Sequence, residues 1–387
     1  MESEDQIYRK LQQHLDESPA GFAAAESGAD IRLLKHLLTP DEAKIAILLS
    51  NVEKEPVETI FKRLQESGMQ ISIEELRRKL DEMVRKGTVL VYSEGFNERR
   101  YMNVGVSAGG MIDFQVNRIT QDLVDVIDKY HEESFTRRTD ESGQQRIPGL
   151  RTIPVEKSVP HPEKLRFSSY DDVRKLVEQS PGPFSVANCV CRQTKDLQGK
   201  PCKYSDIRET CLQIGPDHAR QYIEMGRGRE ITREEAFEVL DRAREAGFIL
   251  QPENSLKPEN ICCCCGDCCG PLSAGKNSPR PADMYTSNYY VVVDSGTCTG
   301  CEVCISRCQM DARVMKDGKS IVALDRCIGC GNCVVTCQSG ASQMIQKEQQ
   351  NIPFRDKDDT FMHIMANKLG GWERFKMRTK MLLGMKM

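Results

Sequence analysis

Eight cysteines near the C-terminal end follow one spacing twice, and thiolates are strong ligands for soft metals. Each copy reads C-x-x-C-x-x-C-x-x-x-C, and the copies begin at Cys298 and Cys327. A tight loop can bring three thiols of this spacing to one centre, whereas the fourth cysteine starts the next element. The spacing therefore predicts two metal–sulfur centres.

A pair of zinc sites is the simpler alternative, but zinc sites typically use two C-x-x-C pairs separated by a longer loop. The duplicated run over residues 288–346 instead resembles bacterial-type ferredoxins, which carry two 4Fe–4S clusters. The small turn residues at Thr299-Gly300 and Ile328-Gly329 agree with this family. The resemblance implies single-electron chemistry in a reducing compartment.

The resemblance also implies crossed ligation, in which the fourth cysteine of each run binds the cluster of the other run. The predicted ligands of cluster 1 are Cys298, Cys301, Cys304 and Cys337. The predicted ligands of cluster 2 are Cys327, Cys330, Cys333 and Cys308. Unlike the family, which usually has proline there, this chain has Gln309 and Gln338 after the fourth cysteines. Because glutamine keeps its backbone N–H, we expect this donor to reach a cluster sulfur and alter the reduction potential.

The other ten of the eighteen cysteines lie between residues 167 and 275, and six of them fall within eight residues, 262–269. Neighbouring side chains cannot all point one way, and crowded thiols oxidise easily, so a plain core explains them poorly. Gly266 and Gly270 allow backbone turns that gather several sulfur atoms. The pattern predicts a metal or cluster site that uses some of these thiols.

The candidate ligands of this middle region are Cys189, Cys191, Cys202, Cys211, Cys262, Cys264, Cys265, Cys268 and Cys269. Ten thiols suffice for two more 4Fe–4S clusters, for one cluster and one zinc ion, or for one unusual cluster with free cysteines. We expect at least one further iron–sulfur cluster, with zinc as the alternative for one site. Arg192, beside Cys191, is either a donor to a cluster sulfur or an ordinary surface arginine.

The middle region and the ferredoxin run together resemble a group of 4Fe–4S dicluster proteins of anaerobic bacteria and archaea. The shared layout, over residues 185–345, is a C-x-C-R motif, later single cysteines and a cysteine-rich run before the ferredoxin repeat. The usual run has asparagine at the position of Cys263, which implies that Cys263 is not a ligand. The resemblance implies low-potential electron transfer in anaerobic metabolism.

Upstream of the cysteines, residues 1–135 have the element order of a winged helix. Thr39-Pro40 starts one helix with Glu42 at its third position, and Pro56 starts a second. A capping box of Ser72 and Glu75 starts a third helix, whose inward residues are Leu76, Leu80, Met83 and Val84. Two strands, at 88–92 and 100–104, follow as a hairpin.

Many winged helices bind DNA, but the third helix mixes both signs of charge. Its basic residues are Arg77, Arg78, Lys79, Arg85 and Lys86. Its acidic residues are Glu74, Glu75, Asp81 and Glu82. Because DNA binding needs a clearly basic patch, a nucleic acid is not favoured as the partner and protein docking is preferred.

The predicted fold class is α+β with five regions. Residues 1–135 form a winged-helix-like helical domain, 136–166 a linker, 167–287 a mainly helical cysteine-rich middle domain, and 288–346 a two-cluster ferredoxin domain. Residues 347–387 form a basic amphipathic tail, which either docks on a partner or membrane surface or packs on its own domain as a helix.

Composition narrows the function further. A net charge of −3 over 387 residues gives no general attraction to nucleic acids or anionic membranes. No stretch approaches the roughly 20 apolar residues of a membrane span, and the acidic N-terminus is not a signal peptide. We therefore expect a cytoplasmic protein, and eighteen cysteines in that compartment indicate metal ligation rather than disulfides.

These observations predict an iron–sulfur electron-transfer protein or subunit that relays low-potential electrons to or from a partner, a flavoprotein or another oxidoreductase subunit. Two alternatives stay open: a winged-helix regulator that senses redox state through a cluster, and a reductase with catalysis at the middle cysteines. Clusters that act only as structural staples are a further possibility. Because no nucleotide-binding glycine loop, nucleophile motif or H-E-x-x-H appears, whether the chain itself is an enzyme stays open.

Overall fold

A computed structural model describes residues 3–94, 98–105, 110–140, 147–159 and 169–368. The chain forms two compact units, Met1–Gln145 with Phe361–Met387, and Arg146–Thr360. Both units combine helices with small antiparallel sheets, which confirms the predicted α+β class. No helix in the described ranges is both long and apolar enough to span a bilayer.

The first unit contains helices around a three-stranded sheet. Its described helices are α1 (Glu4–Asp16), α2 (Ala29–Leu37), α3 (Pro40–Leu48), α4 (Val57–Glu66), α5 (Ile73–Lys86) and α6 (Gln121–Asp140). Its strands are β1 (Glu55–Pro56), β2 (Val89–Glu94) and β3 (Glu98–Asn103), which pair antiparallel in the order β1-β3-β2. Helix α6 continues beyond residue 135, where the sequence predicted a linker.

Local sequence signals fix the helix starts in this unit. Thr39 accepts from the backbone N–H of Glu42, whose carboxylate accepts from the Thr39 N–H at 2.8 Å, so this capping box is complete. Ser72 accepts from the Glu75 N–H at 3.1 Å, but the reciprocal bond is not formed and the predicted box is only half present. The predicted inward residues of α5 are all buried: Leu76, Leu80, Met83 and Val84.

The middle of the chain surrounds a five-stranded antiparallel sheet that the sequence analysis missed. The strands are β4 (Phe184–Asn188), β5 (Glu209–Gln213), β6 (Arg229–Ile231), β7 (Ile249–Pro252) and β8 (Asn260–Cys264), in the order β6-β4-β5-β8-β7. The helices are α7 (Val173–Gln179), α8 (Val190–Leu197), α9 (Pro216–Glu224), α10 (Arg233–Glu245) and α11 (Gly270–Lys276). Helices still contain more residues than strands, but the core lies on the sheet. The description as mainly helical is therefore incomplete.

The C-terminal part of the second unit is built from two strand pairs and two short helices. The elements are β9 (Tyr289–Val293), α12 (Val303–Arg307), β10 (Arg313–Lys316), β11 (Lys319–Val322), α13 (Asn332–Val335) and β12 (Ser342–Gln346). Strand β9 pairs antiparallel with β12, and β10 with β11. Helix α14 (Lys357–Lys368) follows, and residues 369–387, the second part of the predicted basic tail, lie outside the described ranges.

Polar contacts join the middle region to this C-terminal part. Arg307 donates to the carbonyls of Arg244 and Glu245 at the end of α10, at 3.0 and 2.7 Å. A cation in this position also suits the helix dipole. Asn332 donates to the Gly247 carbonyl at 2.7 Å. The regions 167–287 and 288–346 therefore belong to one compact unit.

Residues 147–159 of the predicted linker pack into the second unit. Ile153 bridges to Leu250 in β7, and the Val155 N–H donates to the Cys330 carbonyl at 3.0 Å. Arg151 forms a buried ion pair with Asp171 at 2.9 Å. This segment therefore lies directly beside one of the C-terminal cysteines.

Candidate metal centres

The two C-terminal cysteine runs have the same local structure. In each run the first two cysteines lie on a loop and the third lies on a short helix, α12 for Cys304 and α13 for Cys333. The residues that start these helices, Glu302 and Gly331, have left-handed φ angles of 63° and 79°. This turn folds the loop back over the helix start and gathers the three thiols of the run.

The outer set consists of the four cysteines predicted for cluster 1: Cys298, Cys301, Cys304 and Cys337. All four line one cavity. The Ser320 N–H donates to Cys298 Sγ at 3.5 Å and the Ser342 N–H to Cys337 Sγ at 3.4 Å. The hydrogen bond from Ser320 lowers the pKa of the Cys298 thiol, which favours the thiolate. Cys301 is exposed, so this set lies near solvent.

The inner set consists of the four cysteines predicted for cluster 2: Cys308, Cys327, Cys330 and Cys333. None of them is exposed. Burial raises the pKa of Cys330 to about 12 and the pKa of Cys333 well above its usual range. Because desolvation disfavours a free thiolate, ionised sulfurs at this position need a bound cation.

A buried arginine lies between the two sets. Arg313 is 4% exposed and donates to Ser342 Oγ at 2.9 Å, while its Nε and Nη1 have no hydrogen-bond partner among the described residues. Its charge interacts with Cys333, Cys304 and Cys308, which belong to both sets. Orphaned cationic donors beside thiols fit a negatively charged cluster, whose sulfurs would accept them.

Comparison with known families decides what this region is. Residues 297–345 match the family model of the 4Fe–4S dicluster domain. This region is a ferredoxin-type dicluster domain. The sequence prediction of a two-cluster ferredoxin domain is thus confirmed, and with it 4Fe–4S binding and a role in iron–sulfur electron transfer. Searches of curated proteins and of solved structures give no match. The whole-chain resemblance to dicluster proteins of anaerobes stays a prediction.

Upstream of the dicluster domain, strand β8 divides the middle cysteines between its two faces. Successive strand residues point to opposite sides, so Cys262 and Cys264 face one way and Cys263 the other. Cys263 lies in the apolar core beside the sheet, 2% exposed, and burial raises its pKa to about 12. Alternation thus separates thiols that are neighbours in sequence.

The first group of middle cysteines is the six-thiol row: Cys189, Cys191, Cys211, Cys262, Cys264 and Cys269. Cys211 in β5 lies directly opposite Cys262 in β8, and these two thiols interact. Cys264 interacts with Cys262 and with Cys269, at the start of α11. Cys191 interacts with Cys269 on one side and with Cys189 on the other, and Cys189 lies at the start of α8. The sheet and two helix starts therefore gather six predicted ligands.

The six-thiol row adjoins the inner set of the dicluster domain. Cys264 and Cys269 are part of one apolar cluster, against which Cys308 and Cys330 pack. Other members of this cluster are Ile249, Leu272, Met310 and Ile328. Apolar side chains therefore surround the place where the two thiol groups approach each other.

The second group of middle cysteines is the Cys202 site: Cys202, Cys265, Cys268 and Asp267. Cys202 Sγ lies 3.7 Å from Cys265 Sγ and 3.7 Å from Asp267 Oδ1. Hydrogen bonds with Cys265 and Cys268 lower the pKa of Cys202, while the bond to Cys202 raises that of Cys265 to about 12. Asp267 was missed in the sequence, although it lies inside the cysteine run.

A second buried arginine lies between these two groups. Arg192 is fully buried, so its interpretation as a surface residue is wrong. It donates to the Cys263 carbonyl at 2.9 Å and stacks on Phe248 at 3.9 Å from the ring centre. Its charge interacts with thiols of both groups, Cys189 and Cys265 among them, and its Nε has no partner among the described residues. Like Arg313, it fits a site that carries excess negative charge.

Gln309, which replaces the usual proline, holds the cysteine-rich turn against the dicluster domain. Its side-chain carbonyl accepts from the Gly266 N–H at 2.6 Å, and its amide donates to the Gly247 carbonyl. A side chain at position 266 would overlap the Gln309 backbone carbonyl, which explains the glycine there. The backbone hydrogen bond from Gln309 to a cluster sulfur stays a prediction, and nothing in the sequence pointed to this side-chain role.

Proposed function

We propose that this chain is an electron-transfer protein or subunit that relays low-potential electrons between a partner oxidoreductase and an internal path of clusters. The path starts at the exposed outer set, passes the inner set and ends at the six-thiol row. One observation carries the proposal: Cys264 and Cys269 pack in the same apolar cluster as Cys308 and Cys330. Low-potential relays need centres held close together and shielded from water, and this packing supplies both conditions.

The proposal assigns the ligands as the crossed pattern requires, with the outer set on one 4Fe–4S cluster and the inner set on the other. At least one further iron–sulfur cluster binds four thiols of the six-thiol row, which leaves two thiols to spare. When bound, the clusters supply one-electron transfer. The protein's part is to donate N–H groups to sulfur, to exclude water and to place the buried charges of Arg313 and Arg192 beside the thiolates.

The different exposure of the two sets gives each a different role. The exposed Cys301 suits the outer set for exchange with an external carrier or a flavoprotein partner, while the six-thiol row accepts or supplies electrons at the other end. The abundance of thiols supports a reducing compartment, the cytoplasm, and the low-potential clusters support anaerobic metabolism. The direction of flow follows from the partner's potential.

Iron counting in matched variants tests the proposal. The full chain is purified anaerobically, and iron and acid-labile sulfide are measured per chain. We expect about twelve irons in the wild type and about eight in the Cys264→Ser/Cys269→Ser variant. Cys264 and Cys269 link the Cys262 end of the row to the Cys191 end, so without them the four remaining thiols are split into two separate pairs. Cys263→Ser is the matched control, because Cys263 is a buried neighbour outside the row, and it should keep about twelve. A wild type with only eight irons refutes the further cluster.

The first unit favours a docking function over DNA binding. Its elements run α3, β1, α4, α5, β2 and β3 with the sheet order β1-β3-β2, which supports a winged-helix-like fold. Ion pairs occupy several of its cations: Arg77 with Glu58, Arg78 with Glu82, Arg99 with Asp81 and Lys86 with Glu42. Such pairing offsets part of the positive charge that phosphates would need, so we propose that this unit binds a protein partner.

The regulator hypothesis makes a different prediction for the same unit. A redox-sensing regulator would bind genomic DNA fragments in one redox state, and a gel-shift assay with oxidised and reduced protein tests this. If the unit docks on a protein, neither redox state shifts the DNA in the gel. An oxidoreductase chain then co-purifies with the protein from the native host. A redox-dependent shift would replace docking with regulation.

A further inference from the structure

The Cys202 site differs from every other cysteine group in how tightly its ligand atoms are gathered. Within the described ranges, it alone brings three or more potential ligand atoms to within 4.8 Å of one another. The inner and outer sets of the dicluster domain, all described, do not do so. Cubane clusters bind each thiolate to a different iron and so keep the sulfurs farther apart than one metal ion does.

The distances in this site match a single tetrahedral ion. With Zn–S bonds near 2.3 Å and Zn–O bonds near 2.1 Å, two thiolate sulfurs lie about 3.8 Å apart, and a sulfur and a carboxylate oxygen about 3.6 Å apart. The observed separations from Cys202 Sγ are 3.7 Å to Cys265 Sγ and 3.7 Å to Asp267 Oδ1. Three sulfurs and one oxygen complete the four-coordinate shell that zinc prefers.

We propose that Cys202, Cys265, Cys268 and Asp267 bind one zinc ion, separate from the iron–sulfur clusters. This zinc site lies outside the electron-transfer path, because zinc has no redox chemistry and cannot accept or donate an electron there. It also gives the middle cysteines three separate roles, since the six-thiol row serves a cluster, the Cys202 site a zinc ion, and Cys263 the core.

The surroundings of the site support the assignment. The Lys203 N–H donates to Asp267 Oδ2 at 2.7 Å, which holds the carboxylate with Oδ1 toward Cys202. Metal-ligating carboxylates are commonly fixed by such an outer hydrogen bond. Three thiolates and a carboxylate leave a net double negative charge on a zinc complex, and the buried cation of Arg192 lies beside Cys202 and Cys265 to offset part of it.

An access path and a structural purpose are both present. The site borders a cleft of about 660 Å³, which Asp267 and Tyr204 line together with Lys195, Lys200, Lys203 and Lys276. The ligands come from two segments far apart in sequence, the loop between α8 and β5 and the turn between β8 and α11. Zinc would tie the irregular loop to the sheet that carries the six-thiol row.

The test combines metal analysis with X-ray absorption at the zinc edge, on the full chain purified anaerobically. We expect one zinc per chain with a shell of three sulfurs and one oxygen. Cys268→Ser should lower zinc at least fivefold while iron and sulfide stay unchanged, and Cys263→Ser is the control that changes neither metal. Asp267→Ala should keep zinc but release it to a chelator roughly tenfold faster.

The outcomes separate this proposal from the cluster proposal. If Cys268→Ser loses about four irons, or the wild type holds no zinc, the Cys202 site is not a zinc site. If zinc behaves as expected while the wild type carries only about eight irons, the cluster at the six-thiol row fails and the zinc site stands. Should Cys268→Ser not fold, the absorption spectrum and the Asp267→Ala release rate still decide.

Discussion

The two halves of the dicluster domain have the same cysteine spacing but opposite surroundings. In the loop of the outer set, Thr299 is exposed and Val303 is 43% exposed. At the matching positions of the inner set, Ile328 is 3% exposed and Asn332 is 1% exposed. A repeat of spacing therefore duplicates the ligands, whereas the neighbouring residues decide which cluster faces solvent and which faces the rest of the protein.

The residues that replace the family's proline show the same division. Gln309, after the fourth cysteine that joins the inner set, is 2% exposed and hydrogen-bonded to Gly266 and Gly247. Gln338, its counterpart beside the outer set, is exposed. One replacement thus joins the dicluster domain to the cysteine-rich turn, while the other contributes little to packing. The asymmetry agrees with the proposed path, which continues from the inner set.

The largest expected effect on stability comes from removing the hydrogen bonds of the Gln309 side chain. Gln309→Ala leaves the buried Gly266 N–H without its acceptor and removes a packed side chain, so we expect a loss of about 2–4 kcal/mol in the free energy of unfolding. Gln338→Ala is the matched control and should change it by less than about 0.5 kcal/mol. Anaerobic denaturant titration of both variants measures the difference. Equal losses would show that the two halves do not differ in this way.

Acid should lower the free energy of unfolding through a buried histidine next to the five-stranded sheet. His218 in α9 is 4% exposed, and burial, with Lys357 and Arg227 nearby, holds its pKa well below the usual 6.5. Below pH 6.5 the unfolded chain binds a proton that the folded chain does not, so stability falls as the pH falls. At pH 5 this group should cost about 2 kcal/mol.

The His218→Gln variant isolates this contribution, because glutamine does not titrate. Unfolding free energies of both proteins at pH 7 and pH 5 give the comparison, and the wild type should lose about 2 kcal/mol more than the variant. The same pH dependence in both proteins would exclude His218 as the cause.

A smaller effect is expected at the paired loop positions. Asn332→Ala removes the bonds to the carbonyls of Gly247 and Phe248, at 2.7 and 3.3 Å, and should cost about 1–2 kcal/mol. Val303→Ala, at the matching exposed position, should cost less than about 0.5 kcal/mol. Thermal unfolding under anaerobic conditions measures both, and a larger loss in the Val303 variant would reverse the assignment of inner and outer.

Local signals in the sequence predicted much of this molecule. The cysteine spacing identified the dicluster domain, and Thr39 with Glu42 identified a helix start, because these patterns depend only on residues near each other in the chain. The five-stranded sheet was missed for two reasons. Strands β5 and β8 pair across about fifty residues, and β8 consists largely of cysteines, which do not by themselves predict a strand.

The finer features of the sites depend on tertiary contacts. Asp267 became a candidate ligand only when the fold brought Cys202 beside it, and Arg313 became relevant only through its burial among thiols. For Arg192 the sequence left two interpretations open, and its burial excluded the surface one. Likewise, the sequence shows ten middle cysteines but not which of them form one site. Strand β8 separates Cys263 from its two neighbours, and this separation depends on the fold. Sequence alone predicts that such ligands exist but not which of them meet.

The central claim is that a cluster at the six-thiol row lies next to the inner cluster. Electron paramagnetic resonance of the fully reduced protein tests it most directly, because neighbouring paramagnetic clusters split each other's signals. Cys301→Ala removes one of the four ligands of the outer cluster, and an iron count of about eight confirms that this cluster is lost. In that variant, splitting should persist between the inner cluster and the row. It should disappear when Cys264→Ser and Cys269→Ser are added. A Cys301→Ala spectrum without splitting, or splitting that survives all three substitutions, would contradict the account.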